Sequence, residues 1–112
     1  MHELTGAGLD PTEPTDHVTW VEHLHRPDMS VGTYSIPVDG RDDQDVHTED
    51  EIYIVTSGEA VLVGPDESIP VSPGSVIFVA AGEHHRFEQV TKALTVLVVF
   101  APAEYSRSPE SP

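Results

Sequence analysis

Apolar residues in this chain come in short runs rich in Val, Ile, Thr and Tyr, broken by Gly, Pro and Asp. Runs of that length and β-branched character, bounded by turn residues, are strand signals. The pattern predicts strands over residues 17–24 (HVTWVEHL), 30–36 (SVGTYSI), 51–56 (EIYIVT), 59–63 (EAVLV), 68–71 (SIPV), 75–79 (SVIFV), 84–90 (HHRFEQV) and 94–100 (LTVLVVF). The intervening PVDGRDD, SG, GPDE, SPG and AAGE all carry turn chemistry. No window sustains a 3.6-residue period over three turns, so no helix is predicted. Many short strands without helices indicate a sandwich or a closed barrel. The final run is apolar at both parities from Leu94 to Phe100, so both of its faces should be covered.

Composition narrows the picture. At 112 residues the chain is expected to be one domain over residues 17–102. Residues 1–16, which carry Pro11 and Pro14, and residues 103–112 (AEYSRSPESP) are poor in core formers and are expected to be loosely held. With no cysteine, disulfides and thiolate metal sites are excluded. No apolar stretch is long enough for a transmembrane helix, and the N-terminus lacks the basic start and apolar block of a signal peptide. A cytoplasmic protein is the expectation. Twenty Asp and Glu against five Lys and Arg give a formal charge of −15, which argues against nucleic-acid and anionic-membrane partners. With Lys92 the single lysine, the composition suits either a salt-rich cytoplasm or an acidic mesophilic protein.

Candidate chemistry begins in DQDVHTEDEIYIVTSGEA, residues 43–60, where one histidine and five carboxylates precede an apolar run. Strand side chains alternate faces, so Asp45, His47 and Glu51 share a parity and can converge inside the sheet. A second stretch, PGSVIFVAAGEHHRFEQ, places His85 three positions after Gly82. A strand, a glycine turn and a returning strand would carry His85 back toward His47 and Glu51. Two imidazoles and a carboxylate suit a divalent transition metal with open positions.

These stretches resemble the cupin superfamily in its small single-domain form. The first cupin motif runs Gly, five residues, HxH, three or four residues, Glu, six residues, Gly; His47, Glu51 and Gly58 match it. The second runs Gly, five residues, PxG, two residues, His, three residues, Asn; Gly74, Gly82 and His85 match it. The resemblance spans roughly residues 18–101 and implies an all-β, double-stranded β-helix (jelly-roll) barrel. It also implies one divalent ion (Fe, Mn, Ni, Cu or Zn) on His47, Glu51 and His85, a small-molecule ligand or substrate, and pairing into a homodimer through an outer sheet.

Three positions depart from the motifs. Asp45 stands at the first His, Ala80 at the motif Pro and Gln89 at the Asn, and Gly40 is one residue too close to Asp45. The fourth ligand is therefore open between Asp45, by parity, and Gln44, which a bulge would turn inward and which resembles a subgroup with Gln three residues before the His. Two functions follow from the resemblance: a dioxygenase- or isomerase-type metalloenzyme, or a non-catalytic small-ligand or sensor module. In the first, Glu51 is the candidate catalytic base.

Other residues take plainer roles. Glu49 and Asp50 are expected to be solvated acids, His84 to point away from His85, and Arg86 to form a surface ion pair. His23 and His25 form a second HxH, but no Glu follows and Pro27 ends the strand, so no metal is expected there. Trp20, Tyr34, Tyr53, Phe78 and Phe87 are expected in the core or lining a pocket. Ile52 or Tyr53, Val61 or Leu62, Phe87 and Val98 would give that pocket an apolar wall. There is no phosphate loop, no GxSxG and no cysteine nucleophile.

Overall fold

A computed structural model describes residues 1–11, 16–42 and 46–107. It contains six strands and, among the described residues, no helix: β1 (Thr19–Arg26), β2 (Met29–Ile36), β3 (Asp50–Val63), β4 (Ser68–Val71), β5 (Val76–Val79) and β6 (Arg86–Ala101). All pairings are antiparallel, in the order β1-β2-β6-β3-β4, with β5 also on β3. The sheet curls over itself as a jelly roll. Among the described residues its hydrogen-bonded path is not closed, so the expected double-stranded β-helix forms with an open sheet. The outermost strand, β1, is exposed or half-buried along its whole length, as an edge strand is.

Two predicted breaks are not breaks. Residues 51–56 and 59–63 form one strand, and so do most of 84–90 and 94–100, because β3 and β6 stay paired from Asp50↔Ala101 to Val63↔Arg86. The register shifts around Ser57 and Glu59 mark a bulge at the SG dipeptide. Gly58 has φ of 92°, and a Cβ there would lie 2.2 Å from the Ala93 carbonyl oxygen. Only glycine fits, so the turn signal was real but was spent on bending a strand.

Alternation then sorts the side chains. Tyr34 and Ile36 of β2, Tyr53 and Val55 of β3, and Phe87, Leu94, Val96, Val98 and Phe100 of β6 form one buried cluster. Each such side chain contributes about 2 kcal/mol relative to exposure. The Trp20 ring sits over Gly32 and meets Tyr34 and Phe100 edge-on. On the opposite face, Ile52, Ile54, Leu97 and Val99 are half-buried, and Val76 and Phe78 of β5 are 63% and 61% exposed. Residues 8–10 lie on this outer face: Gly8 N donates to Thr33 Oγ1 (2.9 Å), and Ser57 and Thr95 hydroxyls donate to Asp10. Those two hydrogen bonds hold the Asp10 carboxyl below its usual range. Among the described residues no helix is long and apolar enough to cross a membrane.

Candidate metal centre

The first-motif residues meet at the start of β3. His47 lies three residues before the strand, and Glu51 is its second residue, flanked by Val79 of β5 and Phe100 of β6. From Val79 the chain turns through residues 80–83, where Glu83 N donates to Ala80 O. That turn is fastened back onto the first motif: Gly82 N donates to His47 O (2.8 Å) and Ala81 N to Asp50 Oδ1 (2.8 Å). His85 is thereby delivered beside Glu51 just before β6 begins. Ala80 in place of the motif proline leaves this turn intact, with its own N–H donated to Glu83 Oε2.

His47, Glu51 and His85 each present a ligand atom within 4.8 Å of the others, a span that two ligand bonds of about 2.1 Å each nearly cover. Glu51 Oε1 is the hub, 2.8 Å from His85 Nε2 and 3.8 Å from His47 Nδ1. Glu51 is 2% exposed, and its polar neighbours are the His85 imidazole and the Tyr53 hydroxyl, while the buried His47 Nδ1 has no hydrogen-bond partner. His85 Nε2 lies 2.8 Å from Glu51 Oε1 and 2.9 Å from the Tyr53 hydroxyl. A carboxylate buried this deeply with so few partners costs several kcal/mol. A divalent cation between two imidazoles and this carboxylate relieves that cost, so the donor set fits one. Gln44 and Asp45, the two candidates for a fourth ligand, lie outside the described residues.

Neighbouring groups set the electrostatics. Burial disfavours the His85 imidazolium, but the Glu51 carboxylate, the Glu83 carbonyl and Asp42 outweigh it and raise its pKa. Burial, reinforced by Glu51 and Asp42, pushes the Tyr53 phenol well above its usual pKa, so it remains a proton donor at neutral pH. His85 lines an open cleft of about 490 Å³ with Val46, Pro65, His84, Arg86 and Glu88. A smaller cavity of about 40 Å³ is lined by His85 together with Leu62, Ile69, Ile77, Phe78 and Val79.

Several expectations change. Glu49 is not solvated: it is 1% exposed and accepts from Thr48 Oγ1, Tyr105 N (2.7 Å) and Arg107 N (3.0 Å). Although burial raises its pKa, those hydrogen bonds and His47 together hold it below the usual range. Asp50 is half-buried against the 80–83 turn. Tyr53, Phe87 and Val98 are packed core and not a pocket wall, since the curled sheet fills its own interior. Arg86 forms no ion pair among the described residues and edges the cleft. Outside the motifs, His23 bonds Thr33 Oγ1 (2.6 Å) and His25 is exposed beside Glu22.

Two site-shaping carboxylates were missed by sequence reasoning. Asp42 is 3% exposed and accepts from Tyr34 Oη (2.8 Å) and Phe87 N (2.8 Å). Glu104 Oε2 lies 2.9 Å from His47 Nε2. Asp42 is hidden in the acidic run DGRDDQD and Glu104 in a segment without periodicity, so neither carried a signal.

Comparison with known proteins agrees with this geometry. Residues 32–100 match the Cupin domain family, and the chain belongs to that family. It is 40% identical over 96 residues to the uncharacterized protein SCO3923 of Streptomyces coelicolor, covering 86% of this chain and 91% of that one. An RmlC-like cupin protein from Desulfovibrio desulfuricans superposes with a TM-score of 0.72 at 21% identity, over 92% of this chain and 96% of the other. A predicted oxalate decarboxylase from Thermotoga maritima gives 0.66 at 23% identity, over 76% and 80%. At these identities the structural matches speak for the fold.

Proposed function

We propose that this chain is a metalloenzyme of dioxygenase or isomerase type, with one divalent transition metal held by His47, Glu51 and His85. The observation that carries this reading is the buried Glu51 carboxylate set between two imidazoles, with His47 Nδ1 left without a hydrogen-bond partner. Two histidines and one carboxylate with further positions open are the donor set of non-haem Fe(II) oxygenases, so iron is the first ion to test. When bound, the ion supplies Lewis-acid polarisation and, where redox-active, electrons for dioxygen.

The chain's own residues do the rest. His85 faces the cleft and sets where a small organic substrate approaches. Arg86, at the cleft rim and without an ion pair among the described residues, favours a substrate carrying negative charge. Glu51 is also the candidate base, a role in which this buried carboxylate would leave the ion and take a substrate proton. The Tyr53 hydroxyl, kept protonated, offers a hydrogen bond beside His85. Gln44 or Asp45 would complete the donor set. The similarity in fold to a predicted oxalate decarboxylase makes small carboxylic acids a sensible first substrate panel.

Purified untagged protein should contain about one transition-metal ion per chain, and the iron-loaded form should consume oxygen or isomerise a member of a panel of small acids, diols and diketones. Tight, metal-independent binding without turnover in the Fe, Mn, Ni and Cu forms would overturn catalysis in favour of a ligand-binding module. The outer face supports a homodimer: two apolar ladders, Phe78–Ile52–Val99 and Val76–Ile54–Leu97, cross β5, β3 and β6 beside exposed Val76 and Phe78. Sedimentation should give twice 12.2 kDa, and Phe78→Glu should halve that mass.

A further inference from the structure

We propose that Glu104 is a positioning residue for His47, fixing the imidazole with its proton on Nε2 and its lone pair on Nδ1 turned toward Glu51. The proposal rests on the metal-site reading above and adds a part of the chain that lies outside both cupin motifs. After β6, residues 103–107 turn back over the site, with Ser106 N donating to Ala103 O. Their backbone is tied down at successive points: Ala103 N to Pro27 O (3.4 Å), Glu104 N to Ser30 Oγ (2.8 Å), and Tyr105 N and Arg107 N to the two oxygens of buried Glu49. Ala103 is fully buried, and the Tyr105 ring lies 5.9 Å from the His47 ring. The segment is therefore a built wall of the site.

What this wall delivers is one carboxylate. Glu104 Oε2 is 2.9 Å from His47 Nε2, and the side chains are 11% and 5% exposed. A carboxylate only accepts, so His47 Nε2 is the donor and, in the neutral ring, Nδ1 holds the lone pair. Nδ1 is the buried nitrogen without a hydrogen-bond partner, 3.8 Å from Glu51 Oε1. An imidazole that gives one N–H to a carboxylate and turns its other nitrogen to an ion is a recurring arrangement at metal sites, because the carboxylate selects the tautomer and raises ligand basicity.

The test reads tautomer and affinity separately. Long-range proton–nitrogen NMR of metal-free protein at about pH 8, above the ordinary imidazole range, should show the Nε2–H form of His47, assigned by its loss in His47→Gln. Glu104→Ala should lose that form and weaken Zn(II) binding by about 10- to 100-fold in calorimetry. Glu104→Gln, close in shape and still an acceptor, guards against a folding defect; it should keep the tautomer and recover part of the affinity. Ser30→Ala, which loosens the segment but leaves the carboxylate, should do far less. An Nδ1–H form in wild type, an unchanged Glu104→Ala, or a Ser30→Ala effect equal to Glu104→Ala would each overturn the positioning role. Failure of wild type to bind any ion would instead overturn the metal reading, and is recognised separately because the tautomer is read without metal.

Discussion

Asp42 and Glu51 are both carboxylates buried beside the same core, 3% and 2% exposed, yet their surroundings are opposite. Asp42 receives a phenol and a backbone N–H, which stitch the loop before β3 to β2 and β6. Glu51 instead faces two imidazoles, 2.8 Å from His85 Nε2 and 3.8 Å from His47 Nδ1. A carboxylate held by a phenol and a backbone N–H repays its desolvation through the groups it joins, whereas one facing two imidazoles gains most when a cation stands among them. The difference separates a residue that builds the fold from the one on which the proposed metal site rests.

Substitutions should break this comparison cleanly. The largest effect is expected from Glu51→Gln, which should weaken metal binding by more than about 100-fold while leaving the melting temperature of metal-free protein unchanged or higher. Titration calorimetry and a thermal scan of the same sample read both. Asp42→Ala should do the reverse, costing about 3 kcal/mol in denaturant unfolding because Tyr34 Oη and Phe87 N lose this acceptor, with metal stoichiometry retained in the folded fraction.

pH sharpens the same contrast. The folded, metal-free protein holds the His85 proton more tightly than the unfolded chain does. Its stabilising share is fully present below the ordinary histidine value of 6.5 and is lost as pH rises through the raised one. Metal binding must displace that proton, so affinity should climb across this window and level off above it; an apparent dissociation constant flat from pH 6 upward would contradict the coupling. Glu49 has the opposite sign: its lowered pKa gives stability present above 4.5 and lost as pH falls through the folded value. Acid should therefore loosen residues 103–107, read as lower amide-exchange protection at Tyr105 and Arg107 relative to the unstructured rate at the same pH. The smallest effect concerns salt: twenty acids against five bases should make the melting temperature rise between dilute buffer and molar KCl.

By itself the sequence determined that the chain is all-β, because short β-branched runs punctuated by turn residues have no other good way to bury themselves. It also pointed to His47, Glu51 and His85 together through the motif spacings, although His47 and His85 stand just outside the strands, where alternation does not apply. Only the tertiary structure decided what depends on partners distant in the chain. SG became a bulge because β6 runs unbroken alongside β3, and Glu49 became buried because residues 105 and 107 bring it two backbone donors. Asp42 became structural because Tyr34 and Phe87 come to it, and Glu104 reached His47 from 57 positions away. A local pattern sets the direction of a side chain, but a carboxylate's role is set by what meets it, and that is written in contacts between segments rather than along any one of them.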